Sequence, residues 1–63
     1  MSLAEKFIGL TKKSAQNLAD QHNLIFRLIR IDEKPFQSYP DDNRDDRICV
    51  EIEKSEIVKA VIQ

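Results

Sequence analysis

The chain of 63 residues holds one cysteine, Cys49, one glycine, Gly9, one histidine, His22, and no tryptophan. A single cysteine excludes an internal disulfide, and no Cys/His spacing suited to a metal ion is present. A single glycine excludes the glycine-rich loop that cradles phosphates. One cysteine and one histidine far apart in the chain supply no nucleophile–base pair, so the sequence points away from an enzyme and calls for no cofactor. No apolar run approaches the length of a membrane span and no signal peptide is visible; with the missing disulfide this favours a reducing compartment such as the cytoplasm. The formal charge is −1, so no global field draws the chain to nucleic acid. Arg27, Arg30, Arg44 and Arg47 also lack the interleaved aromatics of a base-stacking surface. What remains is one small domain, residues 1–63, whose stability is limited to a few kcal/mol.

Against these absences stand three periodic segments. Ala15, Leu18, Ala19 and His22 recur at helical spacing, with Lys13, Gln16, Asn17, Asp20 and Gln21 opposite, so a helix is expected over residues 12–22. Thr11 is its N-cap and Asn23 a left-handed terminator. His22 at its C-terminal end is better read as a helix-end residue than as a ligand, because no partner ligands accompany it. Ahead of the helix, Phe7 and Ile8 are expected to pack beneath a sheet. Residues 25–31 are β-branched and aromatic and predict a strand with apolar residues on both faces. Simple alternation sends Arg27 and Arg30 to opposite faces, so the face that meets the helix stays open. Ile48, Val50 and Ile52 alternate with Cys49, Glu51 and Glu53, a half-buried strand over residues 47–53. After the polar turn Lys54-Ser55-Glu56, of open type, residues 57–62 close an antiparallel hairpin.

Between the first two strands lies Asp32 to Asp46, without helical or strand period. Fifteen irregular residues in so short a chain point to a loop with a use. A connection this long can cross over and set strands 25–31 and 47–53 parallel. The expected fold is therefore α+β: one helix packed on a small three-stranded mixed sheet, with a long exposed loop. The base of the loop, Asp42-Asn43-Arg44-Asp45-Asp46-Arg47, mixes acids with arginines able to brace it by charge-assisted hydrogen bonds. A solvated acidic loop is the ordinary alternative. No calcium-loop spacing of acids is present.

At these residues the chain resembles the potato inhibitor I family and its small bacterial relatives. The resemblance runs from about Phe7 to Val61. It rests on Gly9-Leu10-Thr11 followed by Ala15, and on the Arg-x-Asp-Arg core Arg44, Asp46 and Arg47 ahead of the alternating strand. It implies a helix on a small mixed sheet and an exposed reactive loop that enters the cleft of a serine protease of the subtilisin or chymotrypsin class. It also implies that Tyr39, Pro40, Asp41 and Asp42 form the binding loop and that Arg44, Asp46 and Arg47 support it. Partners of nucleic acid or membrane type are not implied.

The sequence departs from that family inside the loop. The family places an apolar residue before the scissile bond, where this chain has Asp41, and an aromatic where it has Asn43. A carboxylate entering an apolar pocket loses its hydration without a partner. Moving Tyr39 to the scissile position puts Pro40 after it and blocks normal cleavage geometry. Cys49 takes the place of a polar or basic supporting residue and reads as a small strand residue. A non-inhibitory protein-interaction module on the same scaffold is the second functional reading.

Overall fold

The computed structural model describes residues 3–63. Its element order is a single 3₁₀ turn, Ala4–Phe7, then α1, Lys12–Gln21, and four strands: β1, Ile25–Ile31; β2, Lys34–Pro35; β3, Arg47–Glu53; and β4, Glu56–Ile62. The fold is a small α+β domain with one mixed sheet, ordered β2-β1-β3-β4. β1 and β3 are parallel, β3 and β4 antiparallel.

The expected three strands become four. The chain leaves β1 through Asp32, whose φ of 53° is left-handed, and returns at once so that Ile31 pairs with Lys34 and Arg30 with Pro35. Proline hides this strand from a sequence reading, because it cannot donate to a central ladder; it is tolerated here because β2 is an edge strand. The irregular connection is shortened accordingly and begins at Phe36.

The 3₁₀ turn drives Phe7 into the core with no exposed surface, whereas Ile8, expected beside it, stays about half exposed. Gly9, at φ +86°, adopts a backbone shape that few other residues accept. That turn lays residues 9–10 against the outer edge of β4: Gly9 N–H donates to the Ile57 carbonyl at 2.8 Å and Ile57 N–H to the Leu10 carbonyl at 2.9 Å. Part of an edge that would otherwise offer unpaired backbone groups is thereby covered.

Thr11 Oγ1 accepts the Ser14 N–H at 3.2 Å and starts α1. Asn23, at φ 56°, ends it, and Leu24 N–H returns to the Ala19 carbonyl at 2.8 Å. α1 stops one residue before the expected 22; His22 is its C-cap and lies exposed, not on the buried stripe. Ala15 and Ala19 are fully buried, and their small side chains let the helix backbone come close to the sheet. The core between helix and sheet is Phe7, Ala15, Ala19, Leu24, Ile48, Val50, Ile52 and Ile57. Each buried large side chain in it contributes about 1.5–3 kcal/mol.

Two bulges decide what faces the loop. In β1, Arg27 pairs with Cys49 and Leu28 with Val50, yet the next pair is Arg30 with Glu51, which leaves Ile29 without a partner on β3. In β4, Glu51 pairs with Lys59 and Ile52 with Ile57, which skips Val58. Because side chains alternate along a strand, one extra residue turns everything beyond it to the other face. Arg27 and Arg30, three apart in sequence, therefore share the face of Cys49 and Glu51, opposite the helix.

Candidate binding loop

The connection from Phe36 to Asp46 runs over the sheet face that the helix leaves free, and its backbone is held from below at successive points. The unpaired Ile29 supplies the first: its carbonyl accepts Phe36 N–H at 2.8 Å and Gln37 N–H at 3.2 Å. Arg27 supplies the second, pointing two guanidinium N–H groups at the Ser38 carbonyl, Nε at 3.1 Å and Nη2 at 2.8 Å. Such charge-assisted bonds are stronger than neutral ones. Gln63, at the end of β4, donates from Nε2 to the Pro40 carbonyl at 3.3 Å. The far end is fixed by Ile25 N–H to the Asp46 carbonyl at 2.7 Å.

Tyr39 turns inward. Its hydroxyl donates to the Glu51 carboxylate on β3, and the Lys59 ammonium lies 5.3 Å from the centre of its ring. Glu51 also accepts Arg30 Nε at 2.6 Å and lies 3.8 Å from Lys59 Nζ. Arg30 extends the network through Nη1 to the Asp32 carbonyl at 2.6 Å and through Nη2 to Glu53 at 3.2 Å. The Tyr39 hydrogen bond, aided by Arg30, holds the Glu51 carboxyl below its usual range. Burial, then the bond to Glu51, pushes the Tyr39 phenol well up.

At the tip, Arg47 bridges loop and C-terminal strand. Its Nη2 donates to Asp42 Oδ1 at 2.9 Å and its Nε to the Gln63 carbonyl at 2.8 Å. The arginine side chain is 12% exposed and the aspartate 61%, so the cation is rooted in the fold and the anion faces out. Arg44 meets Asp46 through two parallel bonds of 2.7 Å each. Both partners are nearly half exposed, and a surface pair of this kind adds little to stability. Their arginines hold the Asp42 and Asp46 carboxyls below the ordinary range. Asp41, Asp42, Asn43, Arg44 and Asp45 are exposed, while Pro40 is half-buried.

No family model, curated protein or solved structure matches this chain.

Of the residues singled out from sequence, Asp41 and Asp42 stand at the exposed tip and Arg47 holds Asp42, whereas Arg44 pairs with Asp46 and, among the described residues, with neither Asp41, Asp42 nor a loop carbonyl. Tyr39 and Pro40, expected at the contact surface, are half-buried, and the Tyr39 hydroxyl is committed to Glu51. A phenol bound to a buried-side carboxylate packs its ring against the sheet instead of projecting it. Sequence reasoning missed Arg27, Arg30, Glu51 and Gln63 as supports. Glu51 was visible as a polar residue on an alternating strand, but its partners depend on the bulge at Ile29. That bulge falls at Ile29, inside an apolar run broken only by Arg27 and Arg30, and no residue type there marks it.

Proposed function

We propose that this protein is a serine-protease-inhibitor-like binding protein that presents residues 40–43 as a braced, substrate-like loop. The observation that carries the reading is the direction of the bracing. Arg27 and Gln63 hold the carbonyls of Ser38 and Pro40 from beneath, and Arg47 holds the Asp42 carboxylate, so the tip is braced while the Asp41 side chain stays unspent. A loop already ordered before binding avoids the entropy cost of ordering, which for a rotamer-rich side chain alone is about 0.5–1.5 kcal/mol. Should a protease cut the tip, the anchors on both sides keep the new ends in place and favour religation. The resemblance of Gly9-Leu10-Thr11 and of Arg44, Asp46 and Arg47 to the potato inhibitor I pattern points the same way.

The test is an inhibition titration of the wild type and Asp41→Met against subtilisin-class and chymotrypsin-class proteases, followed by recovery of intact inhibitor. The reading expects tight, slowly cleaved binding to at least one enzyme. It also expects Arg47→Ala to turn an inhibitor into a substrate, since that change frees Asp42. Silence of both proteins across the panel would remove it.

A second reading, an interaction module whose target is not a protease, is favoured by one observation: the tip carries acids where an apolar anchor suits most protease pockets. Silence across the panel together with retained fold selects it.

A further inference from the structure

The tip sorts its own charges. Four carboxylates, Asp41, Asp42, Asp45 and Asp46, lie within six residues. Asp42 is taken by Arg47 and Asp46 by Arg44. Among the described residues, neither Asp41 nor Asp45 has an ion-pair partner, and both are exposed. Their positions differ. Asp41 lies between two anchored neighbours: the Pro40 carbonyl is held by Gln63 on one side and the Asp42 carboxylate by Arg47 on the other. It is the residue flanked on both sides by anchored groups, a carbonyl before it and a carboxylate after it, while its own side chain has no ion-pair partner among the described residues. Asp45 lies beyond the Asp42 anchor, next to the Arg44–Asp46 pair.

A free side chain between anchored neighbours is what an extended loop offers to a partner's main pocket. Here that side chain is an anion, and burying it costs several kcal/mol unless a cation or several N–H donors receive it. We infer that the partner of this loop is a serine protease whose primary pocket is basic, one that selects an acidic residue before the bond it cuts, with Asp41 as the side chain it receives. The inference rests on the binding-loop reading above and names the class of enzyme that reading leaves unnamed.

The experiment measures inhibition of three enzymes: a glutamate-selective serine endopeptidase, a subtilisin with an apolar pocket and a trypsin-like protease with an acidic pocket. Wild type, Asp41→Asn, Asp41→Met and Asp45→Asn are compared. These three substitutions alter exposed side chains with no ion pair among the described residues, so each variant is expected to give the wild-type circular dichroism and melting curve. The expected pattern is inhibition of the glutamate-selective enzyme by the wild type, at least thirtyfold weaker inhibition by Asp41→Asn, following the ~2 kcal/mol or more lost when one member of a desolvated charge pair is removed, and little change for Asp45→Asn. If Asp41→Met blocks the subtilisin while the wild type leaves the glutamate-selective enzyme untouched, the basic-pocket inference fails and the binding-loop reading survives. Equal losses from Asp41→Asn and Asp45→Asn also overturn it, because general attraction to an acidic tip then replaces a single received side chain. If no variant inhibits any enzyme, the binding-loop reading itself falls, and this inference with it.

Discussion

On the helix side of the sheet, Phe7, Ile48, Val50 and Ile57 are sealed from water, and no polar side chain is buried with them among the described residues. On the loop side, Arg27, Arg30, Arg47, Glu51 and Tyr39 grip a backbone at a surface still partly wet. The first arrangement draws on removal of apolar surface from water and sets whether the chain folds. The second draws on directional bonds, whose net worth is small because water competes for the same groups. It sets which conformation the loop keeps. The two sides should therefore separate under mutation.

The largest effect is expected from Phe7→Ala. Truncating a fully buried phenylalanine costs about 3–5 kcal/mol, comparable with the whole stability of a domain this small. Thermal unfolding followed by circular dichroism should lose its cooperative transition near room temperature, and the loop should be lost with the core. A melting curve close to wild type would break the assignment of the helix side as the source of stability.

Glu51→Ala attacks the other side. It removes the acceptor shared by Tyr39 and Arg30 and should cost about 1–2 kcal/mol, since the carboxylate is mostly covered but Arg30 is not. Acid should imitate it. Because the folded carboxyl titrates below its unfolded value, its contribution is complete above the unfolded pKa of about 4.3 and disappears as the pH falls through the folded value. Asp42 and Asp46, also lowered, act in the same direction over the same range. Urea midpoints measured from pH 6 down to pH 3 should therefore fall, and fall less steeply for Glu51→Gln. Parallel slopes for wild type and variant would show that Glu51 takes no part.

Arg47→Ala should leave the melting curve nearly unchanged and speed amide exchange at residues 41–43 by about tenfold, the loss of one charge-assisted bond. Unchanged exchange across residues 36–43 would mean that Arg47 is not a brace.

The extent to which this division was readable in the sequence follows the same line. The helix side was legible: the alternation of Ile48, Val50 and Ile52, the spacing of Ala15 and Ala19, the Thr11 cap and the parallel crossover all appear in the structure, because burial imposes a period on the residues that undergo it. The loop side was legible only where charges lie close in sequence, as with Asp42 and Arg47. The grip of Arg27 on Ser38 and of Tyr39 on Glu51 joins residues 11 and 12 apart across a register that the Ile29 bulge resets. Hydrogen bonds between distant residues carry no period. β2 was missed for a related reason: two residues, one of them proline, are too few to show a pattern.

The smallest effect belongs to neither side and serves as the control. Lys54 and Ser55, at φ 52° and 68°, make the β3–β4 turn in a left-handed shape that suits Asn-Gly. Asp32 Oδ1 accepts the Lys54 N–H at 3.0 Å and steadies it. Ser55→Gly should relieve the side-chain clash and, after the entropy that glycine adds to the unfolded chain, stabilise the fold by ~0.5–1 kcal/mol. It should raise the urea midpoint without altering exchange at residues 41–43. A change in the loop as well would mean that the two sides are coupled through the turns.

Cys49 lies on the loop-facing side of the central strand, wholly covered, and near enough to Arg47 and Arg27 to feel their charges. It is the only thiol in the chain. A small thiol reagent reaches it only while the covering segment is lifted, so the rate of modification under native conditions counts how often the loop opens. Covering desolvates the thiol and disfavours the reactive thiolate, which lowers the background reaction of the closed state. The molecule thus carries a built-in opening meter, with no label to attach, that reads the loop separately from the core.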